Sequence, residues 1–317
     1  MKVLITRKIP DNAIRILKEN GLEIIYKQGG PLSKGELISL VKDVDAIIAV
    51  IPDQIDKEII DAGNSLKIIS CYSVGFDNVD YKYAESKGIV TTNTPGHLTE
   101  SVAEHSAGLM LAVARNIVMA DYFVRQGKYK YWDPMIFLGP SLNGKTLGII
   151  GMGRIGQHLA KIAHHGFGMK ILYSDPVKCS IDKEFGGEFC NLEYVLNNSD
   201  FISVNCLLTE QTKHLISEKE FRMMKPTAFL INASRGAVIN ESDLIDALRK
   251  RTIAGAGLDV FEDESSVNPE FYKLKNVVLT PHIASATTEA RIEMAKIAAE
   301  NIVELLVKKQ EPKFKVK

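Results

Sequence analysis

The sequence predicts an α/β protein made of two doubly wound parallel sheets, and three observations carry that prediction. The length of 317 residues suits two domains of roughly 100 to 200 residues each. Short β-rich runs alternate with longer helical stretches, the order that builds βαβ units, and the whole alternation occurs twice. A glycine-rich turn joins a strand to a helix at the head of the second set.

In the first set the strands are KVLIT (2–6), LEIIY (22–26), DAIIAV (45–50), LKIISC (66–71) and GIVTTN (88–93), separated by helical stretches. One of these, SKGELISLV, opens with Ser33 and Glu36 at capping-box spacing. SVAEHSAGLMLAVARNIV (101–118) has an apolar face at helical period and a second Ser/Glu start, Ser101 and Glu104, so a helix is expected to open the second domain there. The second set of strands is TLGII (146–150), MKILYS (169–174), FISVNC (201–206), TAFLIN (227–232), IAGAGLDV (253–260) and NVVLT (276–280). A final helix, from about Ala286 to Lys309, is expected to pack back on the first domain. That return makes residues 1–98 and 286–317 one discontinuous domain and 99–285 the other.

Composition narrows the function. Lys plus Arg equals Asp plus Glu at 39 each, so the chain lacks the bulk positive field that gathers nucleic acid or anionic membrane. With 45% hydrophobic residues it can fill ordinary cores, and no apolar stretch approaches the roughly 20 residues that span a bilayer. Cys71, Cys179, Cys190 and Cys206 lie far apart without a C-x-x-C pair, and no metal site is expected. MKVLITRKIP lacks the long apolar region of a signal peptide. These features point to a cytoplasmic protein whose partner is a small molecule.

The strongest local signal is TLGIIGMGRIGQHLAKIA, in which a strand leads into Gly151, Gly153 and Gly156 at G-x-G-x-x-G spacing and then into a helix. The first glycine allows the tight turn, the second lets backbone approach a pyrophosphate, and the third lets helix and strand pack closely. Arg154 and Ile155 would donate backbone N–H groups at the helix N-terminus, where the dipole favours an anion. The next strand ends at Asp175, 19 residues after Gly156, where an acid is expected to bind ribose. A carboxylate there repels a 2′-phosphate, so NAD is expected over NADP. Both halves read as Rossmann-like domains, with an active-site cleft expected between them.

Ligands of open parallel sheets sit beyond the carboxyl ends of the strands. Arg235 follows AFLIN, Asp259 closes IAGAGLD, Glu264 comes five residues later, and His282 follows VVLTP. A cation, a carboxylate and an imidazole are thereby delivered to the edge that receives the cofactor. Arginine can hold a carboxylate bidentately and polarise an adjacent carbonyl. Histidine can give or take a proton near neutrality, and a neighbouring glutamate stabilises its charged form. Together these serve hydride transfer to a 2-oxo acid. Elsewhere, His164, His165, Lys57 and Glu58 read as surface or helix-end residues and Cys206 as a small core hydrophobe; His97 reads equally well as cleft or structural.

At these positions the chain resembles the D-isomer-specific 2-hydroxyacid dehydrogenase family, through VGFDNVD (74–80), TNTPG (92–96), LNGKTLGIIGMGRIG (142–156), INASRGAVIN (231–240), AGAGLDVFEDE (254–264) and LTPHIASAT (279–287). The resemblance implies a flavodoxin-like substrate domain around a central cofactor domain, with Arg235 binding substrate, His282 the acid/base and Glu264 its partner. It also implies a substrate carboxylate held by backbone at Val74 and Gly75, cofactor contacts from Ser101, Ala233 and Asp259, the last to the nicotinamide carboxamide, and a homodimer. An arm of about 118–145, dense in Tyr, Trp and Phe, resembles the dimerisation segment, and Trp132 reads either as reaching the partner's substrate site, as the resemblance implies, or as packing within its own arm. TNTPGHLTESVAE and FVRQGKYKYWDPMIFLG most resemble glyoxylate and hydroxypyruvate reductases; the alternatives are a short D-3-phosphoglycerate dehydrogenase and an NAD-sensing, corepressor-like binding protein. Two departures stand out. Ser265 replaces the Pro usual after the catalytic Glu, and Asn205, Cys206 and Leu207 replace a His-x-Pro.

Overall fold

The computed structural model describes every residue except 27–29, 31, 97, 181 and 317; His97 is therefore outside the described residues. By compactness the chain divides into two units, Met1–Leu98 with Ala286–Lys317, and Thr99–Ser285.

The first unit contains β1 (Lys2–Ile5), α1 (Asp11–Glu19), β2 (Glu23–Tyr26), α2 (Lys34–Val41), β3 (Ala46–Ala49), α3 (Lys57–Ala62), β4 (Ile68–Cys71), α4 (Tyr81–Ser86) and β5 (Val90–Thr92). Its strands form one parallel sheet in the order β2-β1-β3-β4-β5, the 2-1-3-4-5 order of flavodoxin-like folds. AIIA of β3 and IISC of β4 are buried throughout, as expected of strands covered on both faces. The Ser33–Glu36 capping box forms, Ser33 accepting from the Glu36 N–H while the Glu36 carboxylate accepts from the Ser33 N–H.

The second unit runs through α5 (Leu98–Ala114), α6 (Ile117–Arg125), β6 (Thr146–Ile150), α7 (Arg154–Phe167), β7 (Lys170–Ser174), β8 (Glu188–Phe189), α8 (Leu192–Asn198), β9 (Phe201–Val204), α9 (Glu218–Met223), β10 (Phe229–Asn232), α10 (Glu241–Arg249), β11 (Gly255–Leu258) and β12 (Val277–Leu279). The strands are parallel in the order β12-β11-β10-β9-β6-β7-β8, so the chain reverses direction across the sheet between β6 and β9, the switch point where such sheets bind ligands. Leu109, Met110 and Val113 of α5 with Leu159 and Ala163 of α7 fill one face against Ile149 and Ile231. Phe221 of α9 and Leu244 and Leu248 of α10 fill the other against Ile202 and Leu230.

Three elements differ from expectation. α5 starts at Leu98, so Ser101 lies inside it, buried, rather than capping it. The helix stops at Ala114 because Asn116 adopts φ +54, a left-handed conformation that Asn tolerates better than most residues, and its side-chain amide donates to the carbonyls of Phe137 and Leu138. α6 then departs at 63°. The strand β8 was not foreseen, because two exposed residues make no pattern. Among the described residues no single helix is long and apolar enough to cross a membrane.

The chain returns to the first unit with α11 (Thr288–Leu306), whose Met294, Ala298, Ile302 and Leu306 are buried against α1, β3 and β4. Polar ties hold it there: the Asn12 side chain donates to the Ile292 carbonyl at 2.8 Å, Ser70 to Ala298 at 3.1 Å, and Tyr72 to Arg291 at 2.8 Å. Residues 314–316 follow and run antiparallel beside β5, with Thr92 opposite Lys315.

Candidate active site

The glycine turn leaves β6 at the switch point. Gly151 has φ +94, and a Cβ there would lie 2.6 Å from the Cys206 nitrogen beyond β9; only glycine lets the turn seat against the neighbouring strand end. A Cβ on Gly156 would meet the Gly151 carbonyl oxygen at 2.4 Å, which is why α7 can start so close to the turn. Gly153 faces open space at the exposed N-terminus of α7, with Arg154 and Ile155 in its first turn and no side chain capping it. A helix start left open in this way suits a diphosphate, which can accept the free N–H groups and meets the positive end of the dipole. Asp175, at the end of β7, accepts from the Met152 N–H at 2.8 Å and the Val177 N–H at 3.1 Å. These bonds orient its carboxylate beside the turn while leaving lone pairs for a ribose diol.

Further along the same edge, β10 delivers Arg235. Asn232, buried at the end of that strand, accepts from the N–H and hydroxyl of Ser234 and donates to the Arg235 carbonyl at 2.9 Å. It knots Ala233, Ser234 and Arg235 into a tight turn, with Ala233 half-buried. β11 delivers Asp259, and five residues later Glu264 turns back so that its carboxylate accepts from the Phe261 N–H at 3.4 Å. β12 delivers His282, whose Nδ1 lies 3.2 Å from Glu264 Oε1. His282 has φ +54, an uncommon conformation for a residue with a Cβ that must be held by its surroundings. Asp259 holds it. Its carbonyl accepts from the His282 N–H at 2.9 Å, and its carboxylate accepts from Thr280 Oγ1 at 2.6 Å, Ile283 N–H at 2.9 Å and Ala284 N–H at 2.7 Å. His105 of α5 closes the cluster, with Nε2 at 3.0 Å from Thr280 Oγ1 and 3.4 Å from Asp259 Oδ1. Burial alone would push the Asp259 carboxyl up, but the bonds from His105, Thr280 and the two amides hold it below the ordinary carboxylate value.

The comparisons with known proteins bear on this arrangement. The model of the D-isomer specific 2-hydroxyacid dehydrogenase NAD-binding domain matches residues 107–284, and a glyoxylate reductase of Thermococcus litoralis is 50% identical over 95% of this chain and 92% of its own length. The chain belongs to the D-isomer specific 2-hydroxyacid dehydrogenase family. A crystal structure of a Thermus thermophilus protein covers both chains fully at 40% identity and TM-score 0.93. An NADPH-dependent glyoxylate/hydroxypyruvate reductase from Sinorhizobium meliloti, in complex with NADP and malonate, matches at 31% identity and TM-score 0.87 over 99% of this chain and 96% of its own. Membership makes this protein an oxidoreductase of small 2-oxo and 2-hydroxy acids that uses a nicotinamide cofactor.

For a member of that family, the described structure gathers Gly151, Gly153, Gly156, Asp175, Arg235, Asp259, Glu264 and His282 at the carboxyl edge of a single sheet. Asp259, expected at the nicotinamide carboxamide, is buried in the described structure, and its carboxylate oxygens accept from the turn that presents His282. Sequence reasoning missed His105, Thr280 and Asn232; for Thr280 and Asn232 the available signal was a polar residue close to a catalytic candidate, and for His105, which lies far from them in sequence, there was none. In the first unit, considered alone, the Val74 and Gly75 carbonyls are taken by Asn93 at 2.8 Å and Ser73 at 2.6 Å. Trp132 is 76% exposed and Tyr131 75%, within the stretch between α6 and β6.

Proposed function

We propose that the protein is an NAD-dependent reductase of glyoxylate and hydroxypyruvate, in which Arg235 binds the substrate, His282 is the acid/base and Glu264 its partner. The observation that carries the reading is the 3.2 Å pair of His282 Nδ1 and Glu264 Oε1, built on the edge where β6 and α7 present the open glycine turn. The reduced cofactor, when bound, supplies the hydride. Arg235 holds the 2-oxo acid and draws electron density toward the carbonyl oxygen. With Nδ1 engaged by Glu264, His282 Nε2 is left to protonate that oxygen as it becomes a hydroxyl, and the Glu264 carboxylate balances the imidazolium before transfer. Oxidation of the 2-hydroxy acid reverses the proton's path. Val74 and Gly75 are assigned to the substrate carboxylate, and Ser101 and Ala233 to the cofactor. The reading carries a homodimer with Trp132 serving the partner's site; the exposed Tyr131, Trp132, Met135 and Leu138 support an interface there.

Asp175 supports NAD over NADP. Its carboxylate repels a 2′-phosphate and offers no compensating cation, and a poorly paired phosphate costs on the order of 1–3 kcal/mol, about tenfold or more in affinity. The test follows oxidation of NADH and NADPH with glyoxylate, hydroxypyruvate and phosphohydroxypyruvate. Turnover of the first two with NADH is the expected result. Preference for phosphohydroxypyruvate would favour a phosphoglycerate dehydrogenase, and tight NADH binding without turnover on any 2-oxo acid would favour a binding protein. Asp175→Ser should narrow the gap between the two cofactors; a parent enzyme that prefers NADPH would overturn the assignment.

A further inference from the structure

The three acids Glu262, Asp263 and Glu264 read as one charged run, yet each has a separate duty. Asp263 accepts from the Ser265 N–H at 2.9 Å and from the Ser265 hydroxyl at 2.6 Å, while Glu264 faces His282. Glu262 faces elsewhere: its Oε1 lies 2.6 Å from His214 Nε2, and its N–H donates to Glu241 at 3.1 Å. Burial, with the charges of Glu262 and Asp263 alongside, pushes the Glu241 carboxyl up, and the Glu241 N–H donates back to Glu262 Oε1 at 3.4 Å.

His214 reaches that point from a strained backbone, φ +52, which a glycine would adopt freely. Its N–H donates to the Ala237 carbonyl at 2.8 Å, two residues past Arg235. The turn carrying Arg235 and the loop carrying Glu264 are themselves pressed backbone to backbone, since a Cβ on Gly236 would fall 1.9 Å from the Phe261 carbonyl carbon. Phe261 is also the residue whose N–H holds the Glu264 carboxylate. His214 thus fastens one segment through its main chain and the other through its ring.

Building on the assignment of Glu264 and His282 above, we propose that His214 is a positioning residue that staples the Glu264 loop to the Arg235 turn and thereby fixes the Glu264 carboxylate on His282. It does not touch substrate. The ring acts on Glu262, Glu262 fixes the neighbouring Phe261 N–H, and that N–H aims Glu264.

The test is a double-mutant cycle on the full-length enzyme. His214→Gly removes the ring and relieves the left-handed backbone, so thermal stability and NADH affinity should hold while kcat for the 2-oxo acid falls by about tenfold, part of the roughly hundredfold or more that proton transfer contributes, with KM little changed. Glu262→Gln should cause a similar fall in kcat. In a Glu264→Gln background the His214→Gly effect should vanish, because there is no carboxylate left to aim. Unchanged kcat in His214→Gly, or an equal loss in both backgrounds, would overturn the staple while leaving the Glu264–His282 assignment intact. If Glu264→Gln alone left kcat unchanged, that assignment would fall and the staple with it.

Discussion

His282 in the left-handed region is the residue on which most of the site's architecture converges. Asp259 fixes the turn around it with a carbonyl and both carboxylate oxygens. His282→Ala should retain NADH binding by fluorescence titration and lose about 100-fold or more in turnover; near-normal turnover would remove its acid/base role. Asp259→Asn should damage the same turn without touching the acid itself. An amide cannot accept from Thr280 and both amides at once, and leaving buried N–H groups unpaired costs about 1–3 kcal/mol. The pH dependence has a definite sign. The folded Asp259 carboxyl lies below its ordinary value, so its ionised form contributes stability above about pH 4, and that contribution drains away as pH falls through the folded value. Denaturant midpoints should therefore separate parent and Asp259→Asn most at pH 7 and least once the pH has fallen through the folded value, below about pH 4. A gap constant across that range would mean that the charge contributes nothing.

At the scale of elements, packing decides what spacing leaves open. Gly236 is the tightest joint in the site, and Gly236→Ala should cost about 1–3 kcal/mol or more in thermal stability, as overpacking does, together with activity, because both loops it separates carry catalytic candidates. A variant melting with the parent would show that the backbones can part. All strands but β8 were legible because each is a short apolar run closed by a turn, and Arg235 and His282 were legible as candidates because each is a lone basic residue in the turn just past such a run. The Ser33–Glu36 box was legible as local chemistry. Ser101 and Glu104 carry the same local letters, but the chain enters α5 earlier and Ser101 is buried in it. The duties of Asp259 and Asn232, and the proximity of His105 to Thr280, depend on contacts between distant strands and helices, and no spacing rule reports those.

For the whole molecule, an apolar stretch stands exposed between α6 and β6. Tyr131, Trp132, Met135 and Leu138 are each more than 60% exposed, and no residue of α6 is buried, which is what an interface core looks like before its partner is added. Light scattering should return twice the chain mass; Trp132→Ala should weaken the dimer or raise KM for the 2-oxo acid, and a monomeric parent would sink the cross-dimer role. The return of α11 to the first sheet has a consequence for biosynthesis. On a ribosome, β1 to β5 emerge before Thr99–Ser285, and at about 5–20 residues per second the helix that covers them arrives roughly 10 to 40 s later. For that interval the α11 side of β3 and β4 is bare. The nascent first unit should therefore keep this apolar face in water until α11 has been made, and pulse proteolysis of a chain truncated before Thr288 should cut it faster than the full-length protein.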